Sequence, residues 1–281
     1  MEPRFEPTVL ERHPAYDFIS ESVRRRVRAQ ASWPDPDTLT AWAHEAGDIT
    51  HLNDFRFVDW AEQALSAPRA YERCVDSGKI PTRPRNWHDF MNALVWMHFP
   101  RSKALLNRIQ LDADLDKDRR NGRGRRQNAG AHFDECGAVV LCDAPHLLEL
   151  VRALRWAELF QRRRAELHLH FKLLLVGHGL LDLLRAPHRG LVAKALLLPC
   201  DSAVLKLEAA QLRRHSDAAL GRQLSSPTLS TASLSPMPVL GLPGWFPDQD
   251  AAFYADADYF RTERRVPLTP ARQSPSSRSS Q

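Results

Sequence analysis

The most informative part of the sequence reads Asn86-Trp-His-Asp-Phe-Met-Asn-Ala-Leu-Val-Trp-Met-His-Phe-Pro100. Asn86 is a favourable helix N-cap, and Asp89 lies at the third position of the helix, where a capping box places an acid or amide. Proline interrupts a helix because it lacks an N–H and its ring clashes with the preceding turn. The stretch therefore predicts a helix that begins after Asn86, breaks at Pro100 and resumes over residues 101–109.

The residues around this helix predict a mixture of helices and strands. Apolar runs and alternation predict strands over residues 55–58, 167–176 and 194–198, and a β-hairpin over residues 131–141. Capping residues and glycines predict helices over residues 70–75, 143–154, 155–166, 177–185 and 201–221. Because the strands and helices follow no regular βαβ order, the predicted fold class is α+β. We expect a mostly helical single domain with a small mixed or antiparallel sheet.

The composition predicts one folded domain with less regular ends. Hydrophobic residues make up 43% of the 281 residues and charged residues 26%, close to the averages of globular proteins, so the chain can bury a core. Residues 1–17 are rich in proline and predict an irregular segment, and residues 18–266 predict a single globular domain. Within it, the Ser- and Thr-rich residues 222–236 predict a flexible loop. Residues 267–281 predict a disordered tail.

The positive charge of the chain is concentrated in one segment. Lys and Arg total 39 against 34 Asp and Glu, which gives a net charge of +5, and residues 117–126 contain six basic residues and one acid. A basic loop of this kind most often lies in solvent. The alternative is a binding module for nucleic acid or another acidic partner, although such proteins usually spread their charge over a face. Its contacts would be Arg119, Arg120, Arg123, Arg125 and Arg126.

The sequence predicts a cytoplasmic protein with no membrane segment. Its most apolar stretch, residues 171–184, is interrupted by Lys172, His178 and Asp182 and is shorter than the roughly 20 residues that span a bilayer. The N-terminus lacks a basic region followed by an apolar run, so no secretory signal is expected. The four cysteines form no C-x-x-C pair, which favours reduced thiols over disulfides or a cysteine-based zinc site.

Several strings together resemble a bacterial domain-of-unknown-function family, the one numbered 3025. They are Pro81-Thr-Arg83, Asn86-Trp-His-Asp-Phe90, Asn92-Ala-Leu-Val-Trp96, Phe99-Pro100, Lys103, Phe133-Asp-Glu135 with Gly137, Gly177-His178 and Pro243-Gly-Trp245. The resemblance covers roughly residues 50–262 and implies that they form one unit, but it implies no activity. The chain departs from the family pattern at Asn128, where an acid is common, and at Asp182, where Glu is common.

Two groups of polar residues have spacings that suit ligands on a helix. His178 and Asp182 are four residues apart in a Leu-rich segment, so a helix would place both on one face. His88 and Asn92 have the same spacing, with Asp89 beside them. The structural alternatives are that His178 and Asp182 bond to each other or to the backbone, and that Asp89 serves the capping box.

Three further residues carry functional groups that such a site could use. If residues 131–141 form a hairpin, Asp134 and Glu135 point to opposite faces, so at most one of them can join a shared site. Asp134 is the candidate for a catalytic base or a fourth ligand. Lys103 could bind a phosphate or carboxylate, although a solvated lysine is more common.

These residues lead to three hypotheses about function. The first is a metal- or anion-assisted, hydrolase-like enzyme with His88, His178 and Asp182 as ligands of a divalent metal and with His88 and Asp134 in catalysis. The second is the binding module that uses the basic loop. The third is a non-catalytic scaffold whose tryptophans only pack a core. No nucleotide-binding or serine-hydrolase motif supports another class. The first hypothesis requires His88, Asp134 and His178 to meet in one cleft.

Overall fold

The computed structural model of the protein describes residues 3–46, 55–63, 65–112 and 124–262. The helices in these ranges are α1 (Glu21–Ala29), α2 (Pro36–Glu45), α3 (Ala70–Asp76), α4 (Trp87–His98), α5 (Pro100–Leu111), α6 (Arg125–Cys136), α7 (Pro145–Arg152), α8 (Arg164–His170), α9 (His178–Leu183), α10 (Ser202–Leu205), α11 (Ala209–Leu224) and α12 (Ala251–Tyr254). The strands are β1 (Arg56–Asp59), β2 (Lys79–Thr82), β3 (Gly137–Cys142), β4 (Phe171–Leu175), β5 (Val192–Pro199) and β6 (Ser235–Pro238).

Two small sheets accompany the helices. The larger has the order β4-β3-β5-β6, with β3 antiparallel to β4 and parallel to β5, and β5 antiparallel to β6. All six residues of β3 are buried. Strands β1 and β2 form a separate parallel pair. The predicted fold class, a mostly helical α+β domain with a small mixed sheet, is confirmed.

Helix α4 lies in the core and follows the sequence prediction closely. The Asn86 side chain accepts a hydrogen bond from the Asp89 N–H at 3.0 Å, which is the expected N-cap. The helix ends at His98, and α5 begins at Pro100, where proline occupies the first helical position. Every residue of α4 except His88 is buried. A helix that is covered on all sides thus brings one partly exposed imidazole to the surface.

The predicted β-hairpin over residues 131–141 is wrong. Helix α6 continues to Cys136, and only the second half of this segment, from Gly137, is a strand. Ala129 and Phe133 are both buried at a spacing of four residues, which is a helical pattern. Gly137 is the C-cap of α6, with extended dihedral angles and with its N–H donating to the Phe133 carbonyl oxygen, and a Cβ at this position would lie 2.2 Å from that oxygen. The glycine assigned to a turn is therefore the C-terminal cap of a helix.

The prediction for residues 155–176 is partly wrong. The predicted strand begins only at Phe171, since residues 164–170 form α8, and the predicted helix over residues 155–166 contains the π-helical turn Glu158–Arg162. Asp143, the predicted cap of α7, does not cap it and instead lies 2.8 Å from His170 Nδ1. Local alternation misled the assignment, because α8 and β4 follow each other without a turn residue.

The segments predicted as loops contain short regular elements where they are described. Residues 222–236 include the end of α11, the 3-10 turn Thr231–Ser233 and the start of β6, and α10 and α11 replace the single predicted helix over residues 201–221. The N-terminal segment has the 3-10 turns Val9–Glu11 and Pro14–Tyr16. Residues 117–123 of the basic loop and the predicted tail 267–281 lie outside the described residues.

The N-terminal segment packs against the helix that carries His178. Phe5 and Tyr16 are buried, and the Tyr16 hydroxyl donates a hydrogen bond to the Leu181 carbonyl oxygen in α9 at 2.8 Å. In the described ranges, no helix has the length and hydropathy needed to cross a lipid bilayer.

Candidate functional site

Side chains from three helices meet around one partly exposed site. His88 lies at the start of α4, Asp134 and Glu135 lie in the last turn of α6, and His178 is the first residue of α9. The rings of His88 and His178 have their centroids 4.4 Å apart at an angle of 74°. The structure therefore brings together His88, Asp134 and His178, and it adds Glu135 to them.

Glycines allow the start of α9 to approach the end of α6 this closely. A Cβ at Gly177 would lie 2.3 Å from the Gly137 backbone nitrogen, and a Cβ at Gly179 would lie 2.3 Å from Glu135 Oε2. The Gly177 N–H donates to the Gly137 carbonyl oxygen at 2.8 Å. These contacts place His178 beside the last turn of α6.

The hydrogen bond of His178 fixes its tautomer. Its Nδ1 lies 2.7 Å from the Asp134 carbonyl oxygen, which only accepts, so Nδ1–H donates and Nε2 keeps its lone pair. Burial lowers the pKa of His178 to about 4, and the nearby Lys103 charge acts in the same direction. The Nε2 atom lies 3.8 Å from Glu135 Oε1. His178 is thus a neutral imidazole that presents an unprotonated nitrogen to Glu135.

His88 is oriented by two carboxylates. Its Nδ1 lies 3.5 Å from Asp89 Oδ1, and its Nε2 lies 3.4 Å from Glu135 Oε2. Hydrogen bonds to Asp89 and Glu135 raise the pKa of His88 to about 9. Both imidazoles therefore turn Nδ1 towards an oxygen acceptor of the protein and Nε2 towards Glu135.

Asp89 is held in place by Arg83. The guanidinium donates from Nε at 3.0 Å and from Nη2 at 2.6 Å, and the Arg83 backbone N–H donates at 2.7 Å. Burial alone would raise the pKa of Asp89, but hydrogen bonds from His88 and Arg83 outweigh it and hold the value at about 2. Asp89 thus remains ionised and keeps His88 in position.

Lys103 pairs with the Asp134 carboxylate. Its ammonium donates to Asp134 Oδ1 and lies 5.8 Å from the centroid of the Trp96 ring, and the lysine side chain is only 4% exposed. Burial would raise the pKa of Asp134, but the charge of Lys103 outweighs it and holds the pKa below its usual value. Lys103, which was predicted as a possible ligand for a phosphate or carboxylate, therefore forms an ion pair with Asp134.

The ligand atoms of His88, Glu135 and His178 lie within 4.8 Å of one another, and they are the one such group of three among the described residues. Imidazole nitrogen and carboxylate oxygen are ligands of Zn²⁺ and related divalent metals. Ligands of a tetrahedral zinc ion lie about 3.3 Å apart when each bond is about 2.0 Å. His88 Nε2 lies 3.4 Å from Glu135 Oε2 and His178 Nε2 lies 3.8 Å from Glu135 Oε1, so a small inward movement of these side chains would bring three ligand atoms to the spacing of such a site.

Glu135 was not among the predicted ligands, because residues 131–141 were predicted to form a hairpin. Two successive residues of a strand point to opposite faces, whereas on a helix they are about 100° apart and can serve one site. In the last turn of α6, the Asp134 carbonyl and carboxylate and the Glu135 carboxylate all reach His178. The signal that could have found Glu135 is the helical spacing of the buried Ala129 and Phe133.

Other candidate residues lie apart from this group. The Asp182 carboxylate accepts a hydrogen bond from Arg185 Nε at 2.8 Å and is not among the clustered ligands. Asn92 Nδ2 lies 3.3 Å from the Tyr71 hydroxyl. Arg125 is exposed at the start of α6, and Arg126 Nη2 donates to the Leu224 carbonyl oxygen. Arg119, Arg120 and Arg123 lie outside the described residues.

Comparison with known proteins gives one match. A family model with the description "Protein of unknown function (DUF3025)" matches residues 55–264, which include all the residues of the site. No curated protein and no solved structure matches the chain.

Proposed function

Because the chain belongs to the DUF3025 family, whose description states no activity, we propose a function from the chemistry of its own site. The protein is an enzyme that binds one divalent metal ion, of the Zn²⁺ type, through His88, Glu135 and His178 and uses it to hydrolyse an ester or phosphate ester. Three protein ligands leave a fourth position for water or substrate, as in catalytic zinc sites. A metal ion at such a position lowers the pKa of its bound water to about 7 and so supplies hydroxide at neutral pH.

The observation that carries the proposal is the common orientation of the two imidazoles. Each has an oxygen acceptor at Nδ1, the Asp134 carbonyl for His178 and the Asp89 carboxylate for His88, and each presents Nε2 to Glu135. Metal-bound histidines characteristically have their second nitrogen anchored in this way. What distinguishes this pair is that both Nε2 atoms face the same carboxylate, that of Glu135.

The charge of the site supports the binding of an anion to the metal-loaded form. Three cations balance three carboxylates in the metal-free protein, namely Arg83, Lys103 and protonated His88 against Asp89, Asp134 and Glu135. A divalent ion adds two charges and displaces one proton from His88. The resulting excess of one positive charge favours hydroxide or the oxygen of an anionic substrate.

The proposal assigns different roles to the two residues suggested for catalysis. His88 is assigned as a metal ligand, because its Nε2 lies 3.4 Å from Oε2 of Glu135, which is itself a ligand in this proposal. Asp134 is a positioning residue, because its carbonyl holds His178 and its carboxylate pairs with Lys103. Glu135 is the most exposed of the ligands, with 53% of its side chain accessible, so substrate reaches the ion from this side.

The proposal is tested by zinc binding and by hydrolysis of chromogenic carboxylic and phosphate esters. We expect the full chain to bind one equivalent of zinc, and His88→Ala, Glu135→Gln and His178→Ala each to weaken zinc binding about 100-fold or more. Hydrolysis should stop on chelation and return with zinc. Titration calorimetry and metal analysis of the purified protein measure these outcomes.

His146→Ala is the matched control, because His146 also pairs with a glutamate, Glu166, at 2.7 Å but lies outside the site. It should leave zinc affinity unchanged. Zinc binding that is absent, or that falls equally in His146→Ala and His178→Ala, would overturn the metal site. Zinc binding without any chelation-sensitive hydrolysis would retain the site and overturn the assigned reaction.

Gly179→Ala tests Glu135 without removing its carboxylate. The new Cβ would lie 2.3 Å from Glu135 Oε2 and 3.1 Å from the Glu135 carbonyl oxygen, so the end of this flexible side chain must move away and the backbone must give by a few tenths of an ångström. We expect zinc affinity to fall about ten-fold, with the free energy of unfolding of the metal-free protein changed by less than about 1 kcal/mol. Gly221→Ala is the control, because its Cβ would make only an ordinary 3.5 Å contact with Leu105. Equal zinc affinities in the two variants would argue against Glu135 as a ligand.

Zinc affinity should depend on pH through His88. Its pKa is raised to about 9, so zinc must displace a proton from it at neutral pH, whereas the pKa of His178 is lowered to about 4 and this residue is already unprotonated. Affinity should therefore rise about ten-fold per pH unit between about pH 6 and 8 and level off above about pH 9. Calorimetry in buffers of different ionisation enthalpy should show one proton released per zinc. A pH-independent affinity in this range would contradict His88 as a ligand.

A further inference from the structure

Three neighbouring helices carry arginines that pair with no carboxylate. These arginines are exposed, and within the described part of the chain none of them forms an ion pair. They are Arg101 and Arg108 in α5, Arg125 in α6 and Arg222 in α11, and together they are named the basic face. Elsewhere on the surface, arginines commonly pair with an acid, as Arg26 does with Glu45 at 2.7 Å.

The sequence of these helices supplies no partner for the four side chains. Helix α5 contains no Asp or Glu, and the first half of α6 contains none. The one acid of α11, Asp217, is buried and accepts hydrogen bonds from the backbone N–H groups of Arg101 and Ser102. Two exposed acids, Asp112 and Glu208, lie just outside α5 and α11. Because four cations outnumber these two acids, the basic face is positively charged.

Helices α5 and α11 lie side by side and run in the same direction. The Ser102 N–H of α5 donates to Asp217 Oδ1 of α11 at 2.9 Å. One turn further along both helices, a Cβ at Gly221 would lie 3.5 Å from Leu105 Cδ1. Arg222 is the next residue after Gly221, so it lies beside α5.

The arginines of the basic face are spaced along this pair of helices. Arg101 and Arg108 are two helical turns apart, so they lie on one side of α5 at a separation of about 10 Å. Arg125 begins α6, and its neighbour Arg126 donates from Nη2 to the Leu224 carbonyl oxygen at 3.1 Å. This bond places the start of α6 beside the end of α11. The positive charge thus extends over three helices, and a charge spread over a face is typical of proteins that bind nucleic acid.

The composition of the basic face favours a duplex phosphate backbone over other anions. The guanidinium group matches the geometry of phosphate oxygens and binds them through two N–H groups. The large apolar side chains that are exposed in the described residues, Leu169 and Leu183, lie on α8 and α9, so the face has no apolar anchor for a lipid bilayer. Phe133 is the one Phe, Tyr or Trp in α5, α6 and α11, and it is buried, so no aromatic ring is available to stack on unpaired bases.

We propose that the basic face binds double-stranded nucleic acid through its phosphate backbone. A duplex carries one negative charge per about 1.7 Å of its axis, so several phosphates lie within reach of arginines that are spread over about 10 Å. The face contains none of the zinc-site residues His88, Glu135 and His178. The inference is therefore independent of the proposed reaction.

A fluorescent DNA duplex of about 20 base pairs is a suitable probe, with a single strand and a poly-glutamate of similar length as the alternative anions. We expect the full chain to bind the duplex with a Kd of about 10 µM or tighter at about 50 mM salt, measured by fluorescence anisotropy. With four phosphate contacts, the affinity should fall about 100-fold between about 50 and 200 mM salt. The single strand and poly-glutamate should each bind at least about five-fold more weakly than the duplex.

Two triple variants that remove the same charge test whether the duplex occupies the basic face. The first combines Arg101→Gln, Arg108→Gln and Arg222→Gln, and it should weaken duplex binding more than about ten-fold and reduce the slope of log affinity against log salt by about three. The control combines Arg25→Gln, Arg56→Gln and Arg162→Gln, which are exposed arginines of other elements that also form no ion pair within the described residues. It should change the duplex affinity less than about three-fold, because charges outside the contact are screened by salt.

Circular dichroism should show the native helix content in both triple variants. Duplex binding that is absent, that does not depend on salt, or that falls equally in the two triple variants would overturn the proposal. Binding of the single strand or of poly-glutamate as tightly as the duplex would overturn the choice of partner.

Discussion

Replacement of Gly177 with alanine is expected to lower the free energy of unfolding by about 3 kcal/mol or more, which is a large effect for one methyl group. The new Cβ would lie 2.3 Å from the Gly137 nitrogen and 2.5 Å from the backbone carbon and Cα of Cys136. These are backbone atoms at the junction of α6 and β3, so no side chain can rotate away to make room. The start of α9 would have to separate from the sheet and lose the bond from Gly177 N to Gly137 O.

Urea unfolding of the metal-free chain measures this effect, with Gly221→Ala as the control. Gly221 lies within α11 and an added Cβ there makes only an ordinary contact, so alanine should be neutral or stabilise the helix by about 0.5–1 kcal/mol. Gly177→Ala should also lose zinc binding, because His178 is the next residue. If the free energy of unfolding of Gly177→Ala is within about 1 kcal/mol of that of the natural chain, α9 can move away from α6 without a large loss of stability.

Local signals explain the parts of the fold that the sequence predicted correctly. The bond from the Asp89 N–H to the Asn86 side chain and the break at Pro100 involve residues only a few positions apart, so N-cap and proline preferences are sufficient to place α4 and α5. Strand β5 was also predicted from its apolar run, although it extends one to two residues further at each end. The family resemblance is confirmed, but it adds no activity.

Competition between local and distant interactions explains the segments that were assigned incorrectly. Residues 131–136 are followed directly by a β-rich run, and nothing in their own sequence marks the change from helix to strand except Gly137. This residue must be glycine because a Cβ here would lie 2.2 Å from the Phe133 carbonyl oxygen. That distance depends on the folded structure and cannot be predicted from the sequence. The wrong secondary structure then excluded Glu135 from the candidate site. Successive residues of a strand face opposite sides, so only one of Asp134 and Glu135 could join a shared site.

The predicted pairing of His178 with Asp182, which the structure does not contain, shows the limit of spacing rules. A separation of four residues puts two side chains on one helix face, but it does not determine which neighbours they find. Asp182 pairs with Arg185, while His178 faces the last turn of α6. The partners of His178 are more than 40 residues away in sequence, and only packing of α4, α6 and α9 brings them together. The existence of a histidine site could be hypothesised from sequence, whereas its third ligand could not.

Lys103→Met is expected to lower the free energy of unfolding at neutral pH by about 3 kcal/mol. Methionine keeps the apolar stem beside Trp96 but removes the ammonium that pairs with Asp134. The lysine side chain is 4% exposed and the aspartate side chain is 32% exposed. The loss in free energy of unfolding should therefore lie near the lower end of the range seen when one partner of a buried ion pair is removed. The carboxylate would remain beside the neutral His178 without its main counter-charge.

The pH dependence of Lys103→Met distinguishes a lost ion pair from lost packing. In the natural chain the pKa of Asp134 is held below its usual value. The ion pair therefore stabilises the fold fully above about pH 4, the pKa of an aspartate in the unfolded chain. This stabilisation is lost as the pH falls through the pKa of Asp134 in the folded protein. The difference in free energy of unfolding between Lys103→Met and the natural chain should therefore become smaller towards acidic pH. The double variant with Asp134→Asn should recover most of the loss at pH 7, since it removes the carboxylate that lacks a partner. If the double variant is as unstable as Lys103→Met at every pH, the lysine stabilises the protein through its packing and not through Asp134.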